Sequence, residues 1–250
     1  MSAAPSAVCL DYDDFLTGAN PEALDAAILR AYGPDGLGIL FVRGVPGLAE
    51  ARDALLPLAR EVALLPEDTL AEYENKDAFY CIGWSRGREK FNGRPDVAKG
   101  SFYANPLHDD PADGDEAVRE AYPYTGRNCW PSEVPLLEPA FKRMGRLVYE
   151  AAKPLVRRLD HLIAAARAGH GTRLYDASFE AGSRLTVGRL LHYYGMEQAG
   201  AGAAPDSWCG WHNDNSTITG KCIYIYYINT IYYIAQQAAA AVAVDALARL

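Results

Sequence analysis

Apolar residues recur every three or four positions from 138 to 167. Phe141, Met144, Val148, Ala151, Leu155, Leu159 and Leu162 make one continuous stripe, which predicts a long amphipathic helix backing a sheet. Pro154 lies inside the stripe and is expected to kink or interrupt it. A second helix is expected over Pro21–Tyr32, where Leu24, Ile28 and Leu29 share a face, Asn20 can cap and Pro21 suits the first helical position. Residues 36–44 are a short apolar run bounded by glycines and read as a buried strand. Pro46-Gly47 turns the chain into a helix over about 48–64, another is expected after Pro66, and a short extended piece precedes them at 7–10. This opening, 1–75, reads as an α/β cap region.

Beyond it the pattern weakens. Residues 77–135 are rich in Gly, Pro, Asp and aromatics, with turn signals at Asn92-Gly93, Arg94-Pro95 and Asp113-Gly114. They read as a functional surface loop or a set of short strands, anchored by Trp84, Phe91, Phe102 and Tyr103. Ser183–Tyr194 alternates well enough for a strand, and a Gly- and Ala-rich loop over 195–205 separates it from an extended segment around His212. Two such strands suit an antiparallel pair in a sandwich or barrel.

From Lys221 the composition shifts. Residues 222–234 hold half of the isoleucines of the chain, and 235–250 are alanine-rich and helix-prone. Isoleucine, tyrosine and asparagine use A/T-rich codons, whereas the alanine, glycine and arginine elsewhere use G/C-rich ones. A retained intron, a frameshift or an early-terminating transcript would produce that change. An ordinary strand followed by a helix is the alternative. The apolar run is too short for a membrane span and is broken by Asn229-Thr230. As an uncharged β-prone segment it must pair into a sheet or aggregate. The division expected is therefore 1–75, 76–220 and a divergent tail, 221–250.

Half of the 250 residues are apolar and 22% are charged, the balance of a globular protein with a real core. A net charge of -8 argues against nucleic acid or an anionic membrane as partner, since both require a basic surface. Met1 to Asp14 lacks a basic region followed by an apolar run, so no secretory signal is expected. Five scattered cysteines without a CxxC pair read as reduced thiols, and a cytoplasmic location follows.

Candidate chemistry centres on His212-Asn213-Asp214. On a strand, side chains at i and i+2 leave the same face, so His212 and Asp214 can converge on one ion. An imidazole and a carboxylate are two-thirds of the 2-His-1-carboxylate triad that holds non-haem Fe(II). No histidine follows His212 in these residues. A second His-X-Asp, His108-Asp109-Asp110, lies between Pro106 and Pro111 and reads as a solvated loop or a substrate-side lid rather than a metal site. His161 and His170 read as structural or solvent-facing, and His192 as a strand histidine packed among tyrosines that could neighbour the site. Arg184 and Arg189 face either a polar pocket or solvent. Cys209 has no second cysteine at ligand spacing, which disfavours a nucleophile or zinc reading.

Four signatures occur in order. They are Gly38-Ile-Leu-Phe-Val-Arg-Gly-Val-Pro46, Arg127-Asn-Cys-Trp-Pro131, Leu191-His-Tyr-Tyr194 and His212-X-Asp214-X4-Thr219. Together they resemble the 2-oxoglutarate- and Fe(II)-dependent oxygenases of the isopenicillin N synthase-like group, over most of residues 20–220. The likeness is to Gly-Phe-Phe-X4-His-Gly-Ile-Pro, Asn-X-Trp-Pro, Asn-Tyr-Tyr-Pro and His-X-Asp-X4-Thr. Arg43 stands for the first histidine, His192 for an asparagine and Gly195 for a proline.

The resemblance implies an α+β fold: a helical N-terminal cap on a distorted jelly-roll, or double-stranded β-helix, core. It implies Fe(II) and 2-oxoglutarate as cofactors, His212 and Asp214 as iron ligands, and Tyr194 beside the co-substrate carboxylate. The reaction implied is hydroxylation or desaturation of a small molecule.

The family's distal histidine and Arg-X-Ser have no counterpart after Asp214, where Arg249 is the sole arginine. The expectation is a C-terminally truncated, incomplete barrel that does not catalyse the family reaction by itself. The alternative is a non-catalytic product that binds or self-associates through an open sheet edge, or has no function.

Overall fold

The computed structural model describes residues 7–91, 94–167, 169–180, 182–195, 214, 216–222 and 230–235. In chain order it forms β1 (Val8–Asp11), α1 (Tyr12–Thr17), α2 (Pro21–Tyr32), β2 (Ile39–Arg43), α3 (Leu48–Ala63) and α4 (Glu67–Glu72). There follow β3 (Gly83–Arg86), the two-residue strands β4 (Lys90–Phe91) and β5 (Arg94–Pro95), β6 (Lys99–Ala104), α5 (Glu116–Ala121) and α6 (Leu137–Ala166). The last elements are α7 (Arg173–Tyr175), β7 (Gly188–Tyr193), β8 (Ile218–Lys221) and β9 (Thr230–Ala235). The fold is thus mixed helix and strand, in two compact units.

One unit comprises Met1–Glu50, Arg146–Ser183 and Asn213–Leu250. Its sheet has the order β1-β2-β9-β8, with β1 parallel to β2 and the other neighbours antiparallel. Leu40 and Val42 of β2 are fully buried, and α2 contributes Leu24, Ala27, Ile28, Ala31 and Tyr32 to the core. The Asn20 side chain caps α2, accepting from the Ala23 amide at 3.2 Å. Arg158 in α6 ties down the start of α2, donating to Asp25 Oδ2 at 2.6 Å and to the Pro21 carbonyl at 3.2 Å.

The strand β9 comes from the isoleucine- and tyrosine-rich tail. It is central: Ile231 registers with Val42, Tyr233 with Leu40 on one side and with Gly220 on the other. Branched and aromatic residues favour such a pleated, paired position. The alanine-rich stretch after 235 lies outside the described residues.

The second unit comprises Ala51–Gly145 and Arg184–His212. Its antiparallel sheet has the order β3-β6-β7. Trp84, Phe102 and Leu190 are buried, and the Phe102 ring packs against Trp130 and Phe141 at centroid distances of 5.5 and 6.0 Å. Gly100 in β6 permits the close approach of Trp84, since a Cβ there would lie 2.3 Å from the indole.

Two expectations required revision. The helix α6 runs through Pro154 without interruption. The proline removes one hydrogen bond, but Ala151, Ala152, Leu155 and Val156 on both sides of it are buried, and that packing keeps the turn helical. The strand expected over Ser183–Tyr194 is only Gly188–Tyr193. Residues 182–185 form a 3-10 turn, held as the Arg184 carbonyl accepts from Asn105 Nδ2 at 3.1 Å and Arg184 Nη1 donates to the Pro111 carbonyl at 3.2 Å. The strand partner of β7 is β6, from within 77–135, and that stretch contains paired strands.

Candidate functional site

The residues singled out by sequence fall in different places. His212 and Cys209 lie outside the described residues. Asp214 is half-buried, and its Oδ2 lies 3.1 Å from Lys221 Nζ at the end of β8. A carboxylate in this setting already attracts a cation, which fits a divalent metal in kind; imidazole and carboxylate donors suit Fe(II). Among the described residues, no group of three or more His, Cys, Asp or Glu is placed to hold a metal ion.

Tyr194 is buried, at 3% exposure, and pinned at three points. Its hydroxyl donates to the Ala63 carbonyl at 2.9 Å, at the end of α3, and its amide donates to the Ala98 carbonyl at 2.9 Å. The Arg86 guanidinium stacks 3.8 Å over the ring centroid. Burial pushes the phenol up, the Arg86 charge opposes this, and Glu67 adds to it. The hydroxyl proton is therefore engaged by backbone, and an anion approaching Tyr194 meets Arg86.

His192 lies edge-on to Tyr194, with centroids 4.9 Å apart. Burial lowers its basicity, and the charges of Arg60 and Arg86 lower it further. Arg189 is on the opposite face of β7 from His192. It donates to Ser101 Oγ at 2.8 Å and to Glu89 Oε1 at 2.9 Å, and Tyr103 and Lys99 join the same carboxylate. Burial alone would raise the Glu89 carboxyl, but Arg189, Lys99 and the Tyr103 hydroxyl outweigh it and hold it low. Arg189 is thus neutralised within a half-buried network.

The other histidine motif has a structural explanation. Asp109 accepts from Trp130 Nε1 at 3.1 Å, from Asn128 Nδ2 at 3.3 Å and from Lys142 Nζ at 2.6 Å. Asn128 is buried and also grips the backbone of Asn105 and His108. Asp110 pairs with Arg119 at 3.1 Å. The carboxylates of this loop are spent on holding it to the 128–130 segment and to α6. His161 is exposed. His170 is buried and bonds through Nε2 to Asp160 Oδ1 at 2.6 Å, while Asp160 also accepts the Leu174 and Tyr175 amides.

Sequence reasoning passed over Arg60, Arg86, Lys99 and Glu89. A usable signal was the pair Arg86 and His192, each two residues along its strand from a buried apolar residue, Trp84 and Leu190; the pairing of both strands with β6 was not visible.

Several solved structures share this architecture. A full-length Neurospora crassa protein in complex with alpha-KG matches at 20% identity and a TM-score of 0.60, over 96% of this chain and 76% of that one. A C-terminally truncated apo form of the same Neurospora protein matches at 17% identity and a TM-score of 0.59, over 98% and 90%. A putative 2OG-Fe(II) oxygenase family protein from Caulobacter crescentus matches at 14% identity and a TM-score of 0.58, over 94% and 75%. The likeness is one of fold, to structures that include one solved with alpha-KG and a putative 2OG-Fe(II) oxygenase family protein. No protein-family model and no curated protein matches the sequence. Among the described residues, no helix is long and apolar enough to cross a membrane.

Proposed function

We propose that this chain carries the scaffold of a 2-oxoglutarate/Fe(II)-dependent dioxygenase acting on a small molecule, its sheets belonging to a distorted jelly-roll. The observation that supports this most is the fold likeness over 96% of the chain to a protein solved with alpha-KG. The His-X-Asp pair of the sequence adds to it. His212 and Asp214 are the residues that would hold the metal, and Tyr194 is the residue that the resemblance assigns to the co-substrate. When bound, metal and 2-oxoglutarate supply the oxidising power for hydroxylation or desaturation of a C–H bond. The chain's own contribution is positional. Asp214 offers a carboxylate beside an ammonium that a metal must displace, and Tyr194 is a rigid platform whose hydroxyl proton is committed to Ala63.

His212 and Asp214 would be two of the side-chain ligands of a facial triad. Anaerobic Fe(II) titration of wild type, His212→Ala and Asp214→Ala tests the reading. Each substitution should weaken uptake strongly; equal uptake by all three removes the metal site.

A further inference from the structure

We propose that the β4–β5 hairpin is an ion-latched strap, held over the polar face of the β3-β6-β7 sheet by Glu89 and able to swing away from that face as one body. The strap is independent of the metal reading and of the co-substrate.

The sheet presents a polar face to the hairpin. Ser85, Ser101 and Leu191 register in one row across the three strands, and Gly83, Tyr103 and Arg189 in the next. Residues opposite one another in antiparallel strands share a face, so these side chains lie on the side away from Trp84, Phe102 and Leu190. Three hydroxyls and a guanidinium make that side polar, yet Ser85, Ser101 and Tyr103 are buried. Glu89 reaches over it from the hairpin. Its Oε1 accepts from Arg189 Nη2 and from the Tyr103 hydroxyl, each at 2.9 Å, and its Oε2 lies 3.1 Å from Lys99 Nζ.

The hairpin is closed on itself. Among the described residues β4 pairs with β5 alone, over two residue pairs. The Gly87 amide donates to the Asp96 carbonyl at 3.0 Å, and the Asp96 amide to the Glu89 carbonyl at 2.8 Å. These bonds keep the two legs together and add nothing to their hold on the sheet. A two-stranded ribbon has little stability of its own and depends on what it packs against. Arg88, Glu89, Lys90 and Pro95 are exposed, so apolar burial at these positions contributes little. Gly87, at a φ of 69°, is the joint of the first leg, in a left-handed conformation that glycine adopts without strain.

The ties that hold the hairpin are polar and unequal. Asp96 meets Lys99 at 3.0 Å, but only three residues along the chain, so that pair does little to fasten the legs to other strands. Arg88 meets Glu74 at 2.5 Å as a part-exposed ion pair, a kind that contributes weakly. Arg86 Nε donates to the Val97 carbonyl at 3.2 Å, at the base of the second leg. Glu89 alone joins three donors from two strands of the sheet, which makes it the latch. Its side chain is 45% exposed, so water and salt reach the latch and can release it. The plain alternative is a static brace, in which loss of one charge leaves Tyr103 covered.

Hydroxyl-radical footprinting of the full chain, read by mass spectrometry, separates the two. Tyr103 is 8% exposed beneath the strap, and Phe102 is 1% exposed on the opposite face, against Trp130 and Phe141. Tyr193, an exposed residue of β7, serves as the dose reference. Glu89→Gln is expected to raise oxidation of Tyr103 roughly fivefold, with Phe102 still protected, since a charge-assisted contact to three donors is lost. Molar salt should raise Tyr103 oxidation in wild type in the same way. Tyr103 oxidation unchanged in Glu89→Gln overturns the proposal. A rise at Tyr103 matched by Phe102 also overturns it, because the sheet and not the strap has then opened. If a thermal melt shows that the variant does not fold, the salt series on wild type decides by the same two readings.

Discussion

Lys221 Nζ lies 3.1 Å from Asp214 Oδ2, so the carboxylate of the His-X-Asp motif faces an ammonium from the end of β8. A metal ion at Asp214 must compete with that charge. Lys221→Met should therefore raise Fe(II) affinity, by roughly two- to fivefold given what a part-exposed ion pair is worth. Equilibrium dialysis of wild type and variant under anaerobic conditions measures it. Unchanged or weaker binding in the variant would mean that Asp214 is not a ligand, or that the ammonium does not oppose the metal.

Asp109 binds Asn128, Trp130 and Lys142 together, and Asn128 grips the backbone at 105 and 108. Asn128→Ala should destabilise the protein by about 1–3 kcal/mol, because it strands buried backbone donors and acceptors. Urea unfolding is the measurement. The same variant should leave metal affinity unchanged, which separates a loop-holding role from a catalytic one.

The buried Asp160 carboxylate receives His170 and two amides, those of Leu174 and Tyr175. Asp160→Ala is expected to cost roughly 3 kcal/mol, since two buried donors and the part-buried Leu174 amide lose their partner at once. Hydrogen exchange should localise the loss to 170–175. Uniform loss of protection across the chain would point instead to global unfolding.

Acid should destabilise the fold in two steps. His192 is less basic folded than its ordinary value of 6.5. The unfolded chain therefore binds more protons below that pH, and stability falls as pH drops from 6.5 to the folded value. Glu89 is more acidic folded than its ordinary 4.5, so the stability it contributes is complete above 4.5 and is lost as pH falls through its folded value. Thermal melts from pH 8 to 3 should show both windows, with His192→Gln flattening the upper and Glu89→Gln the lower. A variant whose profile overlays wild type in its own window refutes the corresponding assignment.

The tail strand β9 separates β2 from β8. A chain ending at 222 should lose that strand's ladders on both sides, leave the Leu40 and Val42 strand with an open edge, and aggregate. Light scattering at equal concentration compares the two lengths. A soluble, cooperatively folding 1–222 would show β9 to be dispensable.

The helices were legible in the sequence because their signal is local. A 3.6-residue period, a capping Asn20, a first-turn Pro21 and turn residues at 46–47 all act within a few positions, and α2, α3 and α6 fall where the pattern places them. The helix through Pro154 was not legible, because burial on both sides decides whether a proline breaks a helix, and burial is not local. The face of a strand is likewise written in its alternation, but its neighbour is not. Nothing near Gly188–Tyr193 announces β6 as its partner, and nothing in the tail announces a place between β2 and β8. The candidate chemistry divides in the same way. His212-X-Asp214 is a contiguous motif and was visible at once. Arg86 and His192 come from two strands, and pairing of both with Gly100 and packing on Tyr194 bring them together. Local sequence determined which segments form helices and which residues carry donors and charges; long-range strand pairing and packing, whose contacts join residues remote along the chain, decided which of those groups meet.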